Sequence, residues 1–129
     1  MPAPSDFFYS DACKNANQVA TRDLIDAGSA AGKIKLYDND DDLLATITLS
    51  DPCGTVSAAG VLTITAPSAA TATAAGTCTY GTITDSADTV ILTAPASQGS
   101  QPVSGDFVLS AVALIIGSNV SVLSFQIGS

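Results

Sequence analysis

The chain of 129 residues contains no histidine, no tryptophan and no glutamate, and its four basic residues, Lys14, Arg22, Lys33 and Lys35, all precede position 36. Proton transfer, metal binding and nucleophile activation near neutral pH draw chiefly on His, with Glu, Lys and activated Cys as substitutes. Their scarcity predicts a builder or a binder rather than an enzyme, and no cofactor is implied. The four basic residues are matched by Asp6, Asp11, Asp23 and Asp26, so the net charge of −8 arises beyond Lys35, where every charged side chain is Asp. A cationic footprint cannot be built from that stretch, which argues against direct nucleic-acid binding.

Long apolar runs are missing as well. Residues 108–116 fall far short of the roughly 20 a membrane helix needs, so no membrane partner is expected. The opening Met1-Pro2-Ala3-Pro4-Ser5-Asp6 lacks the charged and apolar regions of a secretory signal, which predicts a soluble chain made in a cytosol. Cysteine is sparse and odd in number. Cys13, Cys53 and Cys78 contain no C-x-x-C spacing, so three reduced thiols are expected rather than a zinc knuckle or a disulfide framework.

What is present is small and β-prone. Apolar residues make up 47% of the chain and charged residues 12%, with Ala, Val, Thr and Ser prominent; β-branched side chains suit the half-buried face of a sheet. Residues 1–10 read as an extended arm, because Pro2 and Pro4 precede Phe7, Phe8 and Tyr9, and three adjacent rings call for a docking place. These three are the candidate partner-binding residues, folded back on their own domain or clipped onto a neighbouring subunit.

Residues 11–129 read as one domain. A helix over about 11–27 is predicted from Ser10 or Asp11 as N-cap, Ala12, Ala16, Ala20 and Leu24 at four-residue spacing, and Gly28 as its stop. From Lys33 the period becomes two. Strands are expected at 33–37 and 43–49 around the acidic loop Asp38-Asn39-Asp40-Asp41-Asp42, with Ser50-Asp51-Pro52 ending the second. Further strands are expected at 61–65, 77–84, 89–93, 107–109, 113–115 and 120–127, the last irregular near Leu123. The intervals 66–75 and 95–105 read as loops, the first with a weak edge strand as the alternative. This pattern predicts a mainly-β chain, an antiparallel β-sandwich or jelly roll with one short N-terminal helix.

The acidic loop begins like a calcium-binding loop at Asp38, Asp40 and Asp42. Leu43 replaces the required Gly and Leu49 the bidentate Glu, so a solvated turn is expected. Asp51, Asp85, Asp88 and Asp106 sit among turn residues and read as turn formers rather than paired catalytic carboxylates. Lys33 and Lys35 share one strand face and read as exposed.

Several blocks occur in a recognisable order: Gly32-Lys33-Ile34-Lys35-Leu36-Tyr37-Asp38, Leu44-Ala45-Thr46-Ile47-Thr48-Leu49-Ser50-Asp51-Pro52, Gly60-Val61-Leu62-Thr63, Ala75-Gly76-Thr77-Cys78-Thr79-Tyr80, Ser104-Gly105-Asp106-Phe107-Val108-Leu109 and Val120-Ser121-Val122-Leu123-Ser124-Phe125-Gln126-Ile127. Across roughly residues 14–128 this order resembles a family of small structural proteins of tailed bacteriophages. The resemblance implies a virion component, a capsid decoration (cement) protein on the outer head surface, made in the host cytoplasm. Its implied partners are the major capsid protein and copies of itself, as a dimer or trimer. A tail- or fibre-associated binding module is the alternative. No catalytic residue is implied, and Phe7 to Tyr9 and the short 38–42 loop depart from the pattern.

Overall fold

The structure is a computed structural model and describes residues 10–28, 30–50, 53–58, 60–65, 69–101, 105–123 and 125–127. The N-terminal arm with Phe7, Phe8 and Tyr9 lies outside the described residues.

The helix α1 (Asp11–Ile25) starts where the sequence places it. Ser10, extended at the N-cap, accepts the Cys13 N–H at 3.2 Å, satisfying one of the amides that the first turn leaves open. The helix ends at Ile25, before residue 27: the Ala27 N–H turns to Leu24 O at 3.3 Å instead of continuing the i to i−4 ladder, and the Asp26 carboxylate accepts the Cys53 N–H at 3.0 Å. Gly28 then takes φ +102°, a left-handed conformation that costs glycine little, and a side chain there would strike Ser86 Oγ.

Twelve strands follow among the described residues: β1 (Lys33–Tyr37), β2 (Leu43–Thr48), β3 (Gly54–Val56), β4 (Leu62–Ile64), β5 (Ala70–Thr71), β6 (Gly76–Thr77), β7 (Tyr80–Thr84), β8 (Val90–Gln98), β9 (Phe107–Leu109), β10 (Ala113–Leu114), β11 (Asn119–Val120) and β12 (Phe125–Ile127). The fold is mainly β with one helix. A five-stranded sheet runs β2-β1-β7-β8-β9 and a three-stranded sheet β12-β4-β3, with the short pairs β10-β6 and β11-β5 beside them. Pairing is antiparallel throughout except between β8 and β9, which are parallel.

Strand alternation sets the core. Ile34 faces Ile47 and Ile83 across the ladders, Leu36 faces Ala45 and Gly81, and all point inward. Gly81 leaves room for Phe107, whose ring a Cβ at that position would approach to 2.9 Å. Phe107 stacks on Phe125 at 4.4 Å between centroids, which joins the five-stranded sheet to the three-stranded one. Leu62, Ile64 and the helix residue Ile25 complete the same buried cluster.

Several local expectations are corrected. β3 was not foreseen; its first residue is Gly54 because a side chain there would collide with the Thr63 carbonyl of β4. The expected strand over 77–84 breaks into β6 and β7, since the Cys78 N–H donates to Val112 O and the Thr79 N–H to Tyr37 O. In the interval 66–75 the alternative of a weak edge strand holds, as β5.

β8 continues through Pro95 into the supposed loop, to Gln98. The Ala96 N–H donates to Thr79 O at 3.0 Å, so backbone alternation turns the Pro95 nitrogen away from β7, where its missing donor breaks no ladder bond. The closing segment over 120–127 is interrupted: the Leu123 N–H donates to Val108 O at 2.9 Å, the irregularity expected there.

Two hairpins share one turn device. Asp38 Oδ1 accepts the N–H groups of Asp40 and Asp42, and Asp85 Oδ1 accepts those of Ala87 and Thr89, each at 2.9 Å. Three residues after each of these Asp residues, Asp41 and Asp88 take φ +65° and +68°. Asp suits both places, since its short carboxylate bonds nearby amides and it tolerates the left-handed region better than most residues.

Candidate interaction surfaces

The predicted partner-binding residues Phe7, Phe8 and Tyr9 are outside the described residues, but the helix that follows them is not. Its spacing marks one face, and the structure shows which way that face looks. Ala12, Ala16, Ala20 and Leu24, the small-residue stripe of the helix, are exposed, Leu24 at 55%. The face turned toward β3, β4 and β8 carries Lys14, Asn15, Gln18, Val19 and Arg22, and only Ile25 is fully buried. Polar groups can hold that face: Asn15 Nδ2 donates to Ser57 O at 2.8 Å, bridging helix and β3–β4 turn. Gln18 Oε1 is buried without a hydrogen-bond partner among the described residues.

A second surface is the outer side of the five-stranded sheet. Lys33 and Lys35, expected to be exposed, are half-buried, with side chains 31% and 19% accessible. Both reach Asp88 Oδ1, at 3.0 and 3.1 Å, which pins the β7–β8 turn to β1. The Lys33 hydrogen bond, then that of Lys35, holds the Asp88 carboxyl below the usual carboxylate range. Beside Lys35 in register stands Thr82, buried, its Oγ1 without a partner among the described residues. One row further along, Tyr37 and Tyr80 stack at 5.1 Å, and the Tyr80 hydroxyl donates to Asp41 Oδ1 at 2.7 Å. That bond to a carboxylate pushes the Tyr80 phenol up to about 12.

The third surface was missed by sequence reasoning. Ile115 and Ile116 are 68% and 72% exposed, the most exposed large apolar side chains among the described residues. They occupy the first two positions of a tight turn in which the Ser118 N–H donates to Ile115 O at 3.0 Å and Gly117 takes φ +88°, the arrangement of a type II turn. The signal was the dipeptide Gly117-Ser118 directly after two isoleucines: a turn residue pair forces its neighbours to the tip, whatever their polarity. The expected strand over 113–115 stops at Leu114 for this reason.

The cysteines are all free; Cys53 and Cys78 are buried and Cys13 is partly accessible. Burial pushes the Cys53 thiol up to about 12, with the nearby Asp26 charge adding to it, and the Cys78 thiol up to about 11. Among the described residues no three of His, Cys, Asp or Glu gather as metal ligands, no ligand-sized cavity opens, and no helix is long and apolar enough to cross a membrane. In the 38–42 loop, Asp38 and Asp41 already spend carboxylate oxygens on the turn amides and on Tyr80. Compared with known proteins, the chain matches no family model, no curated protein and no solved structure.

Proposed function

We propose that this chain is a bacteriophage virion protein that decorates the outer surface of the head and stabilises it by binding the major capsid protein and copies of itself. The observation that carries the reading is the outward stripe Ala12, Ala16, Ala20 and Leu24 on α1. A helix on a lone domain normally turns its apolar stripe to the core. Here the stripe faces out and offers a partner small side chains for close approach, and the sequence places Phe7, Phe8 and Tyr9, three rings that burial would favour, just ahead of it. The acidic, His-free composition and the resemblance of the ordered sequence blocks to phage structural proteins support the same reading.

The test is electron microscopy of intact particles of the virus that encodes the chain. Density fitting the five-stranded sheet and α1 on the outer face of the head is the expected result. Density confined to the tail or its fibres would favour the alternative of a tail-associated binding module, and its absence from particles would refute both.

A further inference from the structure

We infer that the Ile115–Ile116 turn is a preformed apolar knob that inserts into a cleft on a partner protein rimmed by Lys or Arg, and that the neighbouring 38–42 loop supplies the matching charge. The turn is built to hold its shape. Ser118 Oγ donates to Ile115 O at 2.8 Å and accepts the Ile115 N–H at 3.4 Å, while the Gly117 N–H donates to Ala72 O and the Ala72 N–H to Ser118 O, both at 2.9 Å. Turn tips are ordinarily occupied by Gly, Pro, Asn, Asp or Ser, for which the backbone gives reasons; nothing local calls for two β-branched aliphatic residues. Their exposure leaves apolar area in water that burial in a partner would remove, and the turn fixes it in advance, so little ordering entropy is lost on docking.

The knob and the acidic loop lie at one end of the molecule. Leu114, next to Ile115, pairs with Gly76, and a Cβ on Gly76 would lie 3.3 Å from Asp38 Oδ2. Independently, the Thr73 N–H donates to Leu44 O at 2.8 Å, which places the segment anchoring the turn against the start of β2, two residues after Asp42. Leu43 between them is itself exposed. None of the loop carboxylates has an ion pair among the described residues, and Lys33 and Lys35 are engaged with Asp88 at the opposite end of β1. This end is therefore apolar at its tip and anionic around it, which selects a cationic rim and disfavours an anionic lipid surface.

The inference deepens the proposed virion role and rests on it for the identity of the partner, so the experiment separates the two. Particles assembled without the protein are titrated with the wild-type chain, with Ile115→Ser/Ile116→Ser, with Asp40→Asn/Asp42→Asn and with Val90→Thr, an exposed apolar position elsewhere. Circular dichroism and Tm confirm that each variant is folded. The serine double variant should bind at least about tenfold to a hundredfold more weakly, the range expected for losing the burial of just one of its two isoleucine side chains. The asparagine double variant should bind more weakly and with a shallower dependence on salt, and Val90→Thr should bind as wild type.

Wild-type and serine variants binding equally would overturn the knob while leaving the virion role intact. Wild-type protein that leaves the particles bare would overturn the virion role and this inference with it. Sedimentation with phosphatidylglycerol vesicles forms the last arm: wild-type binding there that the serine variant loses would assign the knob to a membrane and overturn a protein partner.

Discussion

Thr82 is the side chain whose chemistry fits its place least well. Its hydroxyl is buried on the outer side of β7 beside Lys35 without a partner among the described residues, and a buried unsatisfied hydroxyl costs about 1–3 kcal/mol. Thr82→Val keeps the β-branched shape and removes that group, so urea denaturation should give a stability gain of about 1 kcal/mol; a loss would mean that the hydroxyl is satisfied in solution. Asp88 is strained and paired at once. Alanine there loses both lysine contacts and keeps the left-handed backbone, whereas glycine loses the contacts and is relieved of the strain, so Asp88→Ala should be less stable than Asp88→Gly by about 1 kcal/mol. Equal stability of the two would contradict the positive φ.

Cys53 and Cys78, with folded-state values near 12 and 11 against 9.0 for a free thiol, are neutral where the unfolded chain ionises. Their contribution is fully present below pH 9 and disappears as pH rises from 9 through those values. The folded chain at pH 8 should react with iodoacetamide at Cys13 alone and in urea at all three positions, as mass spectrometry would read it; labelling of Cys53 in the folded protein would contradict its burial.

At the scale of the element, the helix is the most instructive. Its start and its cap were legible, because Ser10 is a side-chain acceptor immediately ahead of a helix-forming run. Its orientation was not. Spacing marks Ala12, Ala16, Ala20 and Leu24 as one face but does not say which way that face looks, and the neighbours that decide it, Ser57 beside Asn15 and Cys53 beside Asp26, are remote in sequence. The adjacent residues Leu24 and Ile25 test the assignment. Ile25→Ala should cost about 2–5 kcal/mol and Leu24→Ala well under 1 kcal/mol, measured by denaturant unfolding; the reverse order would mean that the stripe faces the core.

β1 and β2 were readable because alternation is local, and the 38–42 turn because Asp capping is local too. β3 and the continuation of β8 through Pro95 were not, since each depends on which edge a distant strand approaches. The Ile115–Ile116 tip lay within an apolar run that reads as strand until Gly117 is recognised as the turn.

For the whole molecule, the central fact is the separation of its chemistry. Its four basic side chains lie on α1 and at β1, two of them sharing the single carboxylate of Asp88, while the opposite end carries the 38–42 carboxylates, without an ion pair among the described residues, beside two exposed isoleucines. A surface arranged in this way, together with an outward helix stripe, is compatible with the proposed docking between partners. The most direct measurement is the copy number of this chain in purified virus particles, by quantitative mass spectrometry against the major capsid protein. A decoration protein should appear in a fixed ratio to the shell subunit and remain with heads after tails are removed. A chain missing from purified particles would contradict the account, and one that leaves with the tails would contradict its placement on the head.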